Sequence, residues 1–441
     1  MLVWPYRPDG KYEELNTWRK IMKFNLTRPK PKLPNSYFWT CDHSTNWYLE
    51  DPGLINFGSW IRNIKQPETY IKDYTRLIDM ASDLGVKGIV IWGFLRDSHG
   101  GEDFAKKIST YAKSKNVAIM PGIGTTHYGG VYFEGEHKYN MNTFLRDYPE
   151  AAAITSKEKG SQRSTNSTCP SSPLYKEWIE ESVKWLFDEF DVGGCNIENG
   201  DFFSCYCDAC QAQKEEISKT DPNFLVFQAL SNKPVLDIAK DIVDKDPGLL
   251  ITWATYCGFV PEKVEDIPDK PESYIKTMGT DKPEVFKALD YEGIAQWTLT
   301  KMLRKDEIKL IDFLDDGKAP SIYDNPSWSR DIRPPSQRST GFVHQGSQWD
   351  YSPWETRSTR YDLFIGRIKE ACLRSYEAGL EGVSIHGEVS ARHIPSALNY
   401  LAFSHFIHWP EDNLREFGRK TLGQVFLDEK EGEDFIELLT L

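Results

Sequence analysis

The chain has 441 residues, of which 39% are hydrophobic and 27% are charged. This balance excludes an intrinsically disordered chain and leaves enough apolar surface for a sizeable core. Asp and Glu outnumber Lys and Arg by 66 to 53, and the net charge of −13 argues against a nucleic-acid partner, because like charges repel.

The beginning of the chain is not predicted to be a signal peptide, and export of the native protein stays open. The stretch MLVWPYRPDGKYEE lacks the apolar segment of a signal peptide, and the sequence has no run of about 18 apolar residues. We therefore expect a soluble protein of the cytoplasm or the periplasm with no membrane partner, and the sequence is compatible with a homo-oligomer. Residues 1–35 are polar and become proline-rich, which predicts an N-terminal arm.

After residue 35, short β-rich runs alternate with amphipathic helical stretches. In the stretch 69–85, apolar residues recur near the helical period, and Gly85 supplies a stop. These apolar residues are Ile71, Tyr74, Leu77, Ile78 and Ala81. The predicted strands are Tyr37–Cys41, Val86–Trp92, Val117–Pro121, Gly193–Ile197, Leu249–Thr255, Gly293–Thr298, Thr340–His344 and Gly382–His386.

This alternation predicts a parallel sheet, because parallel strands need crossover connections. Runs such as VKGIVIW and LLITWAT are apolar nearly throughout, which is typical of strands covered on both faces. An open dinucleotide-binding sheet is disfavoured, because GIGTTHYGG lacks the GxGxxG spacing. We therefore predict an α/β fold, a (β/α)8 TIM barrel over residues 36–410 with long βα loops. A helical segment over 411–441 follows, and its abrupt end leaves room for a further domain.

Aromatic residues make up 13% of the chain and include 14 Trp. Four tryptophans lie where a predicted strand ends and a loop begins: Trp92, Trp253, Trp297 and Trp349. Aromatic rings at such places stack well on the C–H faces of sugars, and ordinary core packing is the alternative for each of them.

Three cysteines are crowded into the motif CYCDAC: Cys205, Cys207 and Cys210. Thiolates at this spacing suit one tetrahedral ion such as zinc, and a structural site of this kind needs a fourth ligand. Several cysteines are candidates. Cys169 lies in a loop that can reach the site, whereas alternation along the fourth strand places Cys195 on the outer face. Free or oxidised thiols and a redox role are the alternatives to a closed site that braces the loop after this strand.

The stretch 169–213 resembles the family-42 β-galactosidases. It contains CPSSPLYKEWIEESVKWLFDEFDVGG, then NIENGDFFSCYCDAC, with the order and spacing of that family's helix opening, acid/base Glu and cysteine motif. The resemblance implies a barrel glycosidase in which Glu198 is the general acid/base. It also implies a structural zinc ion held by Cys169, Cys205, Cys207 and Cys210.

The sequence departs from this family at two places. The family has Asn directly before its acid/base Glu to contact the sugar 2-hydroxyl, and this chain has Ile197 there. The family's nucleophile is a Glu that ends the seventh strand, where this chain offers His344, Gln345 and Gln348. The next run, GVSIHGEVS, ends in Glu388. The chain is therefore interpreted as a relative of the family, and β-galactosidase specificity is not implied.

Cleavage of a glycosidic bond needs two carboxyl groups, and in a barrel both project from the carboxyl ends of strands. Glu198 and Glu388 meet this condition and are the predicted catalytic pair. Asp42, Asp201 and Asp290 are rivals for the second carboxylate, and Asp201 could instead tune the pKa of Glu198.

Further polar and aromatic residues near strand ends are candidates for binding the substrate. An arginine with several histidines suits hydroxyl-rich or anionic sugars, so Arg96 is a candidate clamp for a carboxylate or a sulfate. The full candidate set is Asp42, Trp92, Arg96, His99, His127, Asn196, Asp201, Trp253, Trp297, His344 and His386.

These residues predict a glycoside hydrolase acting on a poly- or oligosaccharide, with a carbohydrate as its partner. A non-catalytic carbohydrate-binding barrel is the first alternative, since the second carboxylate is uncertain. A hydrolase with a catalytic zinc ranks last, because HExxH or a comparable histidine spacing is absent.

Overall fold

The structure of the protein is a computed structural model. The residues it describes are 28–41, 67–158, 160–198, 205–220, 224–246, 248–254, 258–259, 279–280, 294–297, 340–345, 363–377, 379–387 and 394–440. The chain divides into two compact units, residues 31–410 and residues 1–30 with 411–441.

Strands and helices alternate along the described chain. The strands are β1 (Tyr37–Cys41), β2 (Gly88–Trp92), β3 (Ala118–Gly124), β4 (Ala152–Ile154), β5 (Arg163–Thr168), β6 (Gly194–Glu198), β7 (Leu250–Ala254), β8 (Gly258–Phe259), β9 (Gly279–Thr280), β10 (Ile294–Trp297), β11 (Thr340–Gln345) and β12 (Gly382–Gly387). The helices are α1 (Pro67–Leu84), α2 (Gly101–Ser114), α3 (Met141–Asp147), α4 (Pro173–Glu189), α5 (Asp208–Thr220), α6 (Phe224–Lys245), α7 (Ile365–Glu377), α8 (Ile394–His408), α9 (Leu414–Phe417), α10 (Gly423–Phe426) and α11 (Glu429–Thr440). The prediction of a mixed α/β fold is confirmed.

Eight of these strands form one curled parallel sheet. Their order is β1–β12–β11–β10–β7–β6–β3–β2, and β2 pairs with β1, so the sheet closes on itself. These are the strands that the sequence predicts, with ends that differ by at most three residues. Apart from β8 and β9, the segments that join β7 to β10 and β10 to β11 lie outside the described residues. The complete (β/α)8 alternation therefore stays a prediction.

Large side chains from β1, β2 and β3 fill the inside of the closed sheet: Tyr37, Trp39, Val90, Trp92 and Met120. Phe38 alternates with two of them and packs outward on Tyr400 of α8, with ring centroids 4.7 Å apart. Both faces of these strands are therefore covered, which explains why their sequences are apolar at nearly every position.

Helix α1 follows the predicted apolar pattern with one shift. Tyr74, Leu77, Ile78 and Ala81 are buried, as predicted. Ile71 is only half-buried, and Tyr70 is buried in its place, where its hydroxyl donates to the Phe94 carbonyl at 3.1 Å. The helix ends before Gly85, whose φ of +71° is a left-handed conformation that glycine adopts without strain.

The polar stretch 155–168 is not among the predicted strands, but the structure places a strand in it. Its second half is β5, which pairs antiparallel with β4. The Arg163 guanidinium donates to the Glu150 and Ala152 carbonyls, each at 2.8 Å, and so ties the two strands together. The Cys169 N–H continues the pairing by donating to the Ala151 carbonyl at 2.8 Å. The β4–β5 hairpin thus sets the position of Cys169.

The segment predicted to be helical over 411–441 contains α9, α10 and α11. Asn413 caps α9 by accepting from the Glu416 N–H at 2.9 Å, and Lys420 pairs with Asp412 at 2.6 Å. Helix α11 packs closely on the start of α10 at Gly432, because a Cβ at this position would lie 2.5 Å from the Gly423 nitrogen. Among the described residues, no helix combines the length and the apolar character needed to cross a membrane.

Candidate functional site

Glu198 is the last residue of β6, the fourth strand of the closed sheet in chain order. It is 2% exposed. Its partner on β3 is Gly124, and the Thr125 N–H donates to the Glu198 carbonyl at 2.8 Å. Glu198 therefore lies at the carboxyl end of the strands, which is the end that carries the active site in TIM-barrel enzymes.

The register of β6 and β7 places Glu198 on the inner face of the sheet. Asn196 shares this face, and its Oδ1 accepts from the Thr252 hydroxyl at 2.7 Å. Leu250 lies two residues before Thr252 on the same face of β7 and packs against the interior cluster. Ile197 alternates to the outer face and is fully buried.

The chain after β3 turns back over the end of its strand, beside Glu198. A Cβ at Gly124 would overlap the His127 carbonyl and lie 2.6 Å from the Tyr128 carbonyl, so only glycine allows this turn. Tyr128 has a φ of +62°. The turn is held to the hairpin, because His127 Nδ1 lies 2.8 Å from the Ser167 hydroxyl.

Trp92 ends β2 inside the sheet and is 1% exposed. Its ring packs 5.8 Å from that of Tyr128 and 6.3 Å from that of Trp39. A Cβ at Gly122 would lie 2.6 Å from Trp92 Cε2, so the indole rests directly on the backbone of β3. Trp92 is thus packed in the interior, and its contact with a sugar stays a prediction.

Arg96 and His99 both have partners within the chain. Arg96 is fully buried, and its guanidinium binds Glu134, with Nε donating at 2.9 Å. Burial alone would raise the pKa of Glu134, but the Arg96 charge holds this pKa below its usual value. His99 stacks on Tyr70 of α1, with ring centroids 4.5 Å apart. Arg96 is therefore engaged within the chain, and its role as a clamp for an anionic sugar stays a prediction.

Several predicted site residues lie outside the described residues: Glu388, Asp42, Asp201, Asp290 and Trp349. Glu388 directly follows β12, the last strand of the closed sheet. For four further candidates the structure gives the backbone position only. Trp253 is in register with Ile197, Trp297 with Thr340, His344 with His386, and His386 with Trp39.

The four cysteines predicted as ligands come together: Cys169, Cys205, Cys207 and Cys210. Their sulfur atoms all lie within 4.8 Å of one another, and Cys169 Sγ lies 3.6 Å from the sulfurs of both Cys207 and Cys210. Sulfurs that share a tetrahedral ion at 2.3 Å are about 3.8 Å apart. This cysteine cluster has the donor set and the spacing to hold a metal ion.

Backbone N–H groups point at the sulfurs of the cysteine cluster. Cys205 Sγ accepts from the Ile154 and Cys207 N–H groups at 3.4 and 3.5 Å, and Cys207 Sγ accepts from the Cys210 N–H at 3.4 Å. Hydrogen bonds from Cys169 and Cys210 lower the pKa of Cys205. The hydrogen bond between Cys169 and Cys205 raises the pKa of Cys169. The surroundings favour a shared negative charge, which suits a bound cation.

The cysteine cluster joins the hairpin to the chain that follows Glu198. Cys169 comes directly after β5, and the Thr168 N–H donates to the Thr126 carbonyl at 3.0 Å. On the other side, the Tyr206 N–H donates to the Ile154 carbonyl at 3.0 Å. Cys195 is fully buried on the outer face of β6, where burial raises its pKa.

Sequence reasoning missed three residues that shape the site. Gly122 and Gly124 are both on the inner face of β3, in register with Asn196 and Glu198 of β6. Because they lack a side chain, they leave room for Trp92 and for the turn after β3. The signal was the sequence PGIG at the end of a predicted strand. Thr252, which holds Asn196, has no comparable signal.

Comparison with known proteins gives no match to a protein-family model and none to a curated protein. Among solved structures, the chain is similar to a β-N-acetylhexosaminidase from Bacteroides fragilis, at 12% identity and a TM-score of 0.47, over 91% of this chain and 71% of that one. It is also similar to the PgaB (BpsB) glycoside hydrolase domain from Bordetella bronchiseptica, at 10% identity and a TM-score of 0.45, over 84% and 98%. A family-36 α-galactosidase from Geobacillus stearothermophilus matches at 9% identity and a TM-score of 0.41, over 91% and 44%.

Proposed function

We propose that the protein is a glycoside hydrolase with a complete (β/α)8 barrel, which cleaves a glycosidic bond in a poly- or oligosaccharide. The observation that supports this proposal is the position of Glu198, buried on the inner face at the carboxyl end of the fourth barrel strand. A carboxyl group in this position can reach a sugar that enters the mouth of the barrel.

In the proposed reaction, the Glu198 carboxyl gives its proton to the glycosidic oxygen as the bond to the anomeric carbon breaks. Glu388 is the proposed second carboxylate, which either attacks the anomeric carbon or activates a water molecule. In the order of the closed sheet, the strand before Glu388 lies opposite β6. This arrangement suits two carboxyl groups that flank a substrate, while family 42 uses its fourth and seventh strands.

We further propose that the cysteine cluster holds a structural zinc ion, as in family 42. Four thiolates fill a tetrahedral shell, so this ion would hold the chain and leave no position for a substrate. It would fix the segment from Cys205 to Cys210 against the β4–β5 hairpin, and thereby the ends of the loop that follows Glu198.

The test of this function is hydrolysis of a panel of 4-nitrophenyl glycosides and oligosaccharides by the full chain. Glu198→Gln should lower kcat on the oligosaccharides by about 10²–10⁴-fold, because general acid catalysis contributes that much for a leaving group that needs a proton. Glu215→Gln changes an exposed glutamate of α5 and is the matched control, which should keep full activity. Unchanged turnover in Glu198→Gln would dismiss the assignment.

A non-catalytic carbohydrate-binding barrel is the second candidate, and one observation favours it. Ile197 is fully buried on the outer face, so the sugar contact that family 42 makes from this position is missing. Calorimetric binding of an oligosaccharide, with no product after days of incubation, would favour this candidate over the hydrolase.

A further inference from the structure

Trp92 Nε1 and Asn196 Nδ2 are buried N–H groups inside the sheet, and neither has a hydrogen-bond partner among the described residues. Trp92 is 1% exposed, and Asn196 is fully buried. Buried hydrogen-bond donors nearly always have a partner, because the desolvation penalty of an unpaired donor is not compensated by a new hydrogen bond. Two such groups on neighbouring inner-face positions indicate that an acceptor from outside the chain belongs there.

The two donors lie on either side of Gly122. The indole of Trp92 rests on Gly122, with Cε2, the ring atom bonded to Nε1, 2.6 Å from where a Cβ would stand. Asn196 is the partner of Gly122 across the β3–β6 pair, and such strands lie about 4.8 Å apart. Glu198 lies two residues beyond Asn196 on the same face. One group bound next to the Trp92 indole, at the level of Gly122, can therefore meet both donors while it lies beside Glu198.

The charges around the position between Trp92, Asn196 and Glu198 favour an uncharged hydrogen-bond acceptor. The described strands of the closed sheet contain no Lys or Arg. Arg96, the cation that the sequence offers for an anionic sugar, is bound by Glu134. A carboxylate or sulfate placed here would be buried beside the Glu198 carboxyl, with no lysine or arginine on the described strands of the closed sheet to neutralise it, which is unfavourable.

We infer that Trp92 Nε1 and Asn196 Nδ2 donate to an uncharged oxygen of the sugar that is bound beside Glu198. The inference rests on the proposed function and narrows its substrate class to neutral sugars at this position. Thr252 is a positioning residue, since its hydroxyl engages Asn196 Oδ1 and leaves Nδ2 to the ligand.

The test uses the full chain labelled with 5-fluorotryptophan and keeps Glu198, because the free monosaccharides used as probes have no glycosidic bond to cleave. The ¹⁹F signal of residue 92 is the one lost in Trp92→Phe. The probes are glucose, galactose, mannose and N-acetylglucosamine, and glucuronate and galacturonate at the same concentrations. The signal of residue 92 should shift with at least one neutral sugar and with neither uronate. Trp178 is the control, because its Nε1 already donates to the Lys138 carbonyl at 2.8 Å.

Asn196→Leu should raise the Kd of the neutral sugar by about tenfold or more, while thermal melting reports whether the variant is folded. A uronate that binds as well as any neutral sugar, or a residue-92 signal that none of the neutral sugars moves, would overturn the inference. Glycoside hydrolysis without a response at residue 92 refutes this inference alone. A response at residue 92 without hydrolysis refutes the proposed function and supports the binding site.

Discussion

Two regions at the carboxyl ends of the strands hold their loops by different means. The β2–β3 loop region, residues 93–100 and 129–140, joins Arg96 and its acidic side chains to partners within the chain. Arg96 binds Glu134, the Tyr132 hydroxyl donates to Asp97 at 2.5 Å, and the Glu136 N–H donates to the same carboxyl group at 3.1 Å. The chain alone supplies every one of these partners.

The β6 region, which comprises Trp92, Asn196, Glu198 and the cysteine cluster, has groups that could bind partners from outside the chain. Four sulfurs lie close enough together to hold a metal ion, and Trp92 Nε1 and Asn196 Nδ2 have no hydrogen-bond partner among the described residues. A polar residue at the end of a strand is therefore not by itself evidence of a substrate-binding residue. Arg96 and Asn196 both follow the predicted pattern, but only Asn196 keeps a donor without a partner.

The largest effect should come from removal of the metal ligands in the β6 region. Cys205→Ala should lose about one zinc per chain, measured by elemental mass spectrometry, and lower Tm by about 10 °C or more, because structural zinc binding contributes several kcal/mol. Cys372→Ala removes a buried thiol of α7 and is the control, with full zinc content. Wild-type protein that contains no zinc, together with a Cys205→Ala variant that melts at the same temperature, would contradict the metal assignment.

The β2–β3 loop region should respond to the loss of its ion pair with a pH-dependent change in stability. Glu134→Gln should lower the free energy of unfolding by about 3 kcal/mol at neutral pH, since it removes the carboxylate that pairs with the buried Arg96 charge. The pKa of Glu134 is held low by Arg96 in the folded state. The Glu134 carboxylate therefore makes its full contribution to the free energy of unfolding above its unfolded-state pKa. This contribution is lost as the pH falls through the lowered folded-state pKa.

Urea unfolding of wild type and Glu134→Gln at neutral and acid pH measures this prediction, and the difference between the two proteins should shrink in acid. Glu180→Gln is the control, because it breaks an exposed pair with Lys184 and should change the free energy by less than about 1 kcal/mol. Equal losses in the two variants would show that the buried pair does not hold this loop region.

A smaller effect is expected from a methyl group at the end of β3. Gly124→Ala should cost about 1–3 kcal/mol, because its Cβ would overlap the backbone of the turn beside Glu198, and kcat should fall as the turn moves. Gly366→Ala in α7 meets no atom within 4 Å and should raise stability by at most about 1 kcal/mol. Thermal melting and steady-state kinetics of both variants measure the difference. Matching behaviour would contradict the close packing of the turn.

Strands β1, β2 and β3 were predictable because both of their faces are buried, so an apolar run marks each of them. The cysteine cluster was predictable because its motif is local and its fourth ligand follows from a resemblance. The β4–β5 hairpin was not, since the polar run of β5 becomes a strand only by pairing with residues 152–154. The partner of Arg96 was missed for a similar reason, because Glu134 belongs to a different loop and nothing in the local sequence indicates the pair.

The role of Glu198 as the proton donor is tested most directly by the leaving group. We expect Glu198→Gln to hydrolyse a dinitrophenyl glycoside, whose leaving oxygen needs little protonation, at a rate close to that of wild type in the bond-breaking step. The same variant should lose about 10²–10⁴-fold on the corresponding methyl glycoside or oligosaccharide, which requires a proton. An equal loss on both substrates, or no loss on either, would contradict the account.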